Sequence, residues 1–208
     1  MQTGNTVFLA LAISKQGPLP EVWYRPFLAV ICFILGALFF SRLYLFLGSP
    51  RRRLTLFLTF GVQTICVFIA AIITQSGAVN SDVPPTVAQG LYSLALAPIC
   101  LLAFQSAGQI TTSRALDLGE LPTIVVTSLL CDLFSDPHVF TVTRPNIKRN
   151  RRVAGFLLTF IGAIIAGWMG KKLGSITPAL WLVVALKACM TISWMIWPVE
   201  KVGSKISV

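Results

Sequence analysis

Long apolar runs separated by short polar segments dominate the chain. Four of these runs carry no charge in their cores: residues 27–40 with an extension to 47, 54–73, 87–107 and 153–170. A fifth run, residues 176–199, is equally apolar except for Lys187 near its middle. Because about 20 apolar residues in a helix cross a bilayer, this pattern predicts five transmembrane helices.

Two further apolar segments, residues 6–13 and 123–134, are too short to cross a membrane alone. As helices they would reach only about 12 and 18 Å, against roughly 30 Å of hydrocarbon. Unpaired backbone amides in lipid cost several kcal/mol each. We therefore expect both segments to be broken or re-entrant helices that lie against protein or line a wet cavity.

The composition supports a membrane protein and excludes most enzymes. Hydrophobic residues make up 55% of the 208 residues, and charged residues only 12%. Five spans and their loops leave no room for a separate water-soluble catalytic domain. We predict an all-α, polytopic transmembrane helical bundle, integral to the plasma membrane or an internal membrane, with the lipid bilayer as its surroundings.

The excess of basic residues, which gives a net charge of +10, follows the membrane topology and does not indicate nucleic acid. Basic residues cluster at 51–53 and at 144–152, and the positive-inside rule places both clusters in the cytoplasm. Both can be cytoplasmic only if residues 123–134 enter the membrane and return to the same side. The second cluster is also a candidate site for anionic lipid head groups; its members are Arg144, Lys148, Arg149, Arg151 and Arg152.

A weak repeat relates the two halves of the chain. A shift of about 124 residues aligns Thr3 with Thr127, Gly4 with Ser128 and Gln63 with Lys187, and the order of elements repeats. The helix at 87–107 has no counterpart before the first short segment, so we expect one further helix at the N-terminus. Each half would then contain three crossings, and the halves would be inverted relative to each other. The predicted units are residues 1–75 (first half-repeat), 76–86 (external loop), 87–199 (second half-repeat) and 200–208 (cytoplasmic tail).

Motifs in both halves resemble those of one family. Residues 1–7, MQTGNTV, are similar to the MTGNTV signature of the YoaK-like membrane proteins. Residues 103–109, AFQSAGQ, with Arg114 and the segment TIVVTS at 123–128, resemble that family's second-half pattern. The resemblance looks closest to the fungal branch. It implies a helical membrane protein of a family of unknown function whose members are often labelled permeases.

Three departures from the family pattern accompany this resemblance. Ser128 stands where the family usually has glycine, and Thr111-Thr112 replace an Asn-Ala pair. Family members also carry another helix before the first motif, often with an acidic residue in it.

Polar residues within or beside the apolar segments are the candidate substrate-binding groups. Lys187 stands out because an ammonium near the bilayer centre costs about 2.5–3.5 kcal/mol on insertion scales, and such residues usually face a partner or a wet cavity. One of Asp117, Glu120 and Asp132, which flank or lie within the second short segment, could be a proton carrier or the counter-ion of Lys187 or Arg114, and Asp132 is the best candidate of the three for a buried carboxylate. The predicted site consists of Thr3, Gly4, Asn5, Gln63, Gln105, Gln109, Thr127, Ser128, Asp132 and Lys187.

Each of these signals also has a purely structural interpretation. Thr3 and Asn5 are good helix caps, Gln105 and Gln109 are suited to hydrogen bonds between helices, and Lys187 in a buried pair would fix helix packing. Recurring small residues at four-residue spacing within 153–170 indicate close helix contact, within the chain or in a homodimer. No cysteine pair, histidine arrangement or phosphate loop indicates an enzyme, a metal site or a cofactor.

The sequence therefore predicts a small-solute permease with a polar site between two half-repeats. Its mechanism would be alternating access by rocking of the halves. The alternative, from another class, is a non-transporting membrane scaffold or lipid-interacting protein that uses the small-residue face and the basic loop.

Overall fold

The computed structural model describes residues 2–16, 23–76, 96–118, 126–136 and 146–196. These parts of the chain form helices and contain no strand, which confirms the predicted all-α fold. The helices are α1 (Gln2–Ile13), α2 (Tyr24–Leu47), α3 (Arg53–Gln75), α4 (Leu96–Ala115), α5 (Val126–Phe134), α6 (Ile147–Leu173) and α7 (Thr177–Ile196).

Four of these helices, α2, α3, α6 and α7, are long and apolar enough to cross a membrane. They coincide with four of the five predicted spans, and the chain is an integral membrane protein. The fifth predicted span corresponds to α4. Its predicted start, residues 87–95, and the predicted external loop lie outside the described residues.

The two short segments form the two short helices. At about 1.5 Å per residue, α1 extends about 18 Å and α5 about 14 Å, so neither reaches across the hydrocarbon. α1 packs against α2, and α5 packs against α6.

α2 and α4 are parallel and approach each other closely. Gly36 of α2 lies against Phe104, Phe40 against Gly108, and Tyr44 against Thr112, so residue numbers rise together along both helices. A Cβ added to Gly36 would lie 2.6 Å from the Phe104 carbonyl oxygen. The absent side chain is therefore what lets the two backbones meet, as at many membrane helix interfaces.

α3 and α7 are antiparallel. The rings of Phe60 and Trp194 stack with centroids 6.2 Å apart, while Phe68 meets Trp181 edge-on at 5.6 Å. Residue numbers thus fall on α7 as they rise on α3. Val67, Ala71 and Val184 form the buried apolar contact between these helices, with Leu102 of α4 and Leu180 packed against it.

These directions bring the basic segments to one end of the bundle. α6 and α7 are joined by the short turn at residues 174–176, and helices joined so closely run antiparallel. α6 therefore runs in the direction of α3, and its start lies at the same end as Arg53 and as Arg114 near the end of α4. The segment from α4 to α6 begins and ends on one side, which supports the predicted return of residues 123–134.

α6 packs against the rest of the bundle only lightly. None of its residues is buried. A Cβ built on Gly162, Gly167 or Gly170 would meet nothing within 4 Å. The close helix contact expected from the small residues of this helix is thus not made by the parts of the chain that the structure describes.

Candidate functional site: the Lys187–Gln63 pair

Lys187 lies halfway along α7 and faces α3. Its side chain is only 8% exposed, and its ammonium donates a hydrogen bond of 2.9 Å to the side-chain oxygen of Gln63. The apolar residues on both sides make α7 a spanning helix, so the charge is held near the middle of the bilayer. A charge at that depth is stable only with a partner, and Gln63 provides one.

Gln63 is fully buried, at 0% exposure, near the middle of α3. Its amide oxygen accepts from Lys187, which turns its amide nitrogen away from the ammonium. Among the described residues, no acceptor meets this Nε2 group. Buried polar groups are nearly always paired, and an unpaired donor costs about 1–3 kcal/mol. The pair therefore presents a buried N–H donor that is still unsatisfied.

Two threonines extend the polar layer beside this pair. The hydroxyl oxygens of Thr64 and Thr191 are 3.0 Å apart, linking α3 to α7 a second time. The Thr191 hydroxyl also lies 2.8 Å from the Lys187 carbonyl oxygen. The sequence analysis missed both residues, although a signal exists: Thr64 follows Gln63 directly, and Thr191 lies one helical turn after Lys187 on the same face.

A separate polar contact joins three helices nearer the basic end of the bundle. The Tyr44 hydroxyl of α2 lies 3.0 Å from the Thr112 hydroxyl of α4 and 3.3 Å from the Thr59 hydroxyl of α3. All three side chains are buried. This contact, which the sequence analysis also missed, fixes the packing of α2, α3 and α4.

The Thr3-Gly4-Asn5 motif forms part of a regular helix. We expected a helix break here, but the three residues belong to the first turn of α1. The Asn5 amide donates to the Gln2 side-chain oxygen at 3.0 Å, so the polar side chains of this turn satisfy one another locally. Thr127 and Ser128 likewise belong to the first turn of α5. Since α1 packs on α2 and α5 on α6, neither motif packs along the helices that carry Gln63 and Lys187.

The two glutamines of α4 are placed differently from each other. The Gln105 side-chain oxygen is buried and has no hydrogen-bond donor among the described residues, whereas Gln109 is half-buried. α4 packs against α2 and α3. No described hydrogen bond connects either glutamine to Lys187.

Asp132 is exposed, and the expectation that it is buried was wrong. Its side chain is 48% exposed and lies 3.9 Å from Arg152 Nη2 of α6, while Arg152 Nη1 donates to its carbonyl oxygen at 3.1 Å. Arg152 is thus its ionic partner, in place of Lys187 or Arg114. The buried stripe of α5 consists of Leu129 and Leu133, four residues apart, and Asp132 lies at the edge of that stripe.

Comparison with known proteins identifies the family. The chain belongs to the family described as Protein of unknown function (DUF1275), which it matches over residues 1–193. This match agrees with the resemblance to YoaK-like membrane proteins. The chain matches no curated protein and no solved structure.

Proposed function

We propose that this chain is a small-solute permease and that the Lys187–Gln63 pair is its substrate site. The observation that carries the proposal is the pair itself: an ammonium and a fully buried amide meet midway along two spanning helices. A protein that only needs helices to adhere would not require a charge at this depth, because van der Waals packing of small residues is sufficient in lipid.

The chemistry of the pair favours a solute that carries an oxygen acceptor or a negative charge. An ammonium has three N–H donors and no acceptor, and the free side of Gln63 is also a donor. The acidic residues of the described chain, Asp117, Asp132 and Asp136, lie at or beyond helix ends or on short α5, away from the pair. A small carboxylate would satisfy both donors at once.

Two features support inverted half-repeats around this site. The starts of α1 and α5, Gln2 and Val126, and those of α3 and α7, Arg53 and Thr177, are separated by the same interval of 124 residues that separates Gln63 from Lys187. α3 and α7 are also antiparallel. Two helices related by a two-fold axis in the membrane plane are antiparallel and meet at equivalent residues. Rocking of one half against the other around this contact would open the site to each side in turn.

Uptake by reconstituted vesicles tests the proposal. The full chain would be assayed with radiolabelled lactate, succinate and aspartate, and with sorbitol as the neutral comparison. We expect uptake of at least one carboxylate above protein-free vesicles, its loss in Lys187→Leu, and its retention in Lys171→Leu, which removes an exposed lysine from the end of α6. Carboxylate uptake that is absent from the unmodified protein, or undiminished in Lys187→Leu, would contradict the proposal.

The second candidate function is that of a non-transporting scaffold. The absence of any buried residue along α6 is the observation that favours it, because a spanning helix with small residues and few contacts is suited to bind another helix. This candidate requires no water at Lys187. It predicts that vesicles containing the protein take up no solute. It also predicts that cysteines placed on α6 cross-link copies of the chain or partner proteins.

A further inference from the structure

A groove of about 740 Å³ runs along the outside of the bundle between α2 and α4. On α2 its wall includes Tyr44 and the residues Phe33, Ala37, Ser41 and Leu45, which recur at every fourth residue and so lie on one face. On α4 the wall extends from Ala107 to Ala115 and includes Arg114 near its outer end. The groove does not include Lys187 or Gln63 and is a separate feature of the molecule.

The two ends of the groove differ in polarity. Because α2 and α4 are parallel, Phe33 and Ala107 lie towards the middle of the membrane, whereas Arg114 and the Gly48–Pro50 turn lie at the basic end of the bundle. Ser41 and Thr111 line the middle of the groove. The lining thus passes from apolar to hydroxyl to cationic along its length.

The charge at the outer end is positive and available. Among the described residues, the Arg114 guanidinium has no hydrogen-bond acceptor and no ionic partner, and the side chain is exposed. Arg51 and Arg52, both exposed, directly follow Pro50 of the groove wall. Asp117, three residues after Arg114, is exposed and does not pair with it. Two other acidic residues, Asp132 and Asp136, contact Arg152 and Asn146 near the start of α6.

The dimensions match one leaflet of a bilayer. From Phe33 to Leu45, α2 rises about 18 Å, against about 15 Å of hydrocarbon in half a bilayer. We infer that this groove binds a single anionic phospholipid, with an acyl chain along Phe33, Ala37 and Ala107 and the phosphate head group at Arg114. Basic pockets between membrane helices on the cytoplasmic side are suited to such head groups.

A free phosphate compound is a poorer fit, because most of the wall is apolar and lies at the depth of lipid chains. The apolar inner part of the wall, around Phe33, Ala37 and Ala107, would contribute nothing to a ligand without an acyl chain. A phospholipid uses both ends of the groove at once, through burial of apolar surface at one end and a charge-assisted hydrogen bond at the other.

Native mass spectrometry of the purified full chain tests this inference. Retention of phosphatidylglycerol would be compared with that of phosphatidylcholine for the unmodified protein, Arg114→Gln and Arg42→Gln. Arg42 is an exposed arginine of α2, next to Ser41, that does not line the groove. We expect preferential retention of phosphatidylglycerol, reduced about fivefold by Arg114→Gln, since one basic residue near the surface contributes about that factor, and unchanged by Arg42→Gln.

A second variant tests the apolar end. Ala37→Phe would fill the groove while leaving Arg114 in place, and we expect it to reduce retention of phosphatidylglycerol as well. Circular dichroism and gel filtration establish that each variant is folded. Equal losses in Arg114→Gln and Arg42→Gln, no loss in Arg114→Gln, or displacement of the lipid by glycerol 3-phosphate at comparable concentration would overturn the inference.

Discussion

The ammonium of Lys187 and the side-chain oxygen of Gln63 are 2.9 Å apart, at positions that the internal shift of the sequence treats as equivalent. A hydrogen bond to a charged group contributes about 1.5–3 kcal/mol, which is comparable with the insertion cost of about 2.5–3.5 kcal/mol for a lysine at the centre of a helix. The contact therefore offsets most of the cost of the charge, and among the described residues it leaves both N–H donors of the Gln63 amide without an acceptor.

The energetic coupling of this pair can be measured by a double-mutant cycle. We expect Lys187→Leu to destabilise the protein only slightly, because an apolar residue removes the membrane penalty while the Gln63 amide loses its partner. Gln63→Leu should destabilise it more, since it leaves the buried ammonium alone. The double variant should show a coupling free energy of about 1.5–2 kcal/mol, where the range for hydrogen bonds to charged groups meets the upper values measured within membranes.

Unfolding of detergent-solubilised protein by SDS, followed by circular dichroism, gives these free energies. Strictly additive effects of the two substitutions would contradict the pairing of Lys187 with Gln63.

The glycine contact between α2 and α4 predicts a site-specific loss of stability. Gly36→Ala places a methyl group 2.6 Å from the Phe104 carbonyl oxygen, and backbone atoms cannot move aside cheaply. We expect a loss of about 1–3 kcal/mol, as for other overpacked sites, seen as a lower midpoint in thermal unfolding.

Gly162→Ala is the matched control for this substitution. It adds the same methyl group to a glycine of α6, where a Cβ meets nothing within 4 Å. Alanine is also a better helix former than glycine. Its stability should be unchanged or slightly raised. If both variants lose stability equally, the close approach of α2 and α4 does not determine the effect.

The helix directions predict which segments share a side of the membrane. In a cysteine-free chain, Arg52→Cys and Asn146→Cys should react with an impermeant thiol reagent from the same side, and Ser175→Cys, in the α6–α7 turn, from the opposite side. The positive-inside rule assigns the first side to the cytoplasm, although Arg25, Lys171 and Lys172 lie at the other end. Reaction of Arg52→Cys and Asn146→Cys from opposite sides would show that residues 123–134 cross the membrane.

The ion pair between Asp132 of α5 and Arg152 of α6 is long and about half exposed at its carboxylate, and it should contribute little. Asp132→Asn removes an interaction of 3.9 Å whose carboxylate is about half exposed, and such pairs contribute about 0–1 kcal/mol. We expect the thermal midpoint and any carboxylate uptake to stay near those of the unmodified protein. A loss of uptake comparable with that of Lys187→Leu would return Asp132 to the substrate site.

The spanning helices were predictable because each needs only length and an apolar run, both visible in the sequence. Lys187 was predictable as a candidate site residue because it is a charged residue in the middle of an apolar run. Its pairing with Gln63 was suggested by the 124-residue shift, and the structure brings the two side chains together.

What could not be predicted depends on contacts between distant helices. The hydroxyl of a threonine such as Thr59 or Thr112 can form a hydrogen bond within its own helix, so the sequence does not indicate a contact with Tyr44. The helix break expected at Gly4 failed because Gln2, Asn5 and Thr6 form hydrogen bonds within a regular first turn. The groove at Arg114 requires the relative positions of α2 and α4, which composition and periodicity do not contain.

The most direct test of the permease proposal is the accessibility of the Lys187–Gln63 site to water. Gln63→Cys and Lys187→Cys would be placed singly in a chain lacking Cys32, Cys66, Cys100, Cys131 and Cys189, reconstituted in sealed vesicles, and exposed to a charged thiol reagent on one side at a time. We predict modification of both cysteines from each side, and none of Val67→Cys, which lies one turn along α3 at 0% exposure. Failure of both site cysteines to react from either side, while Ser175→Cys reacts normally, would contradict the account.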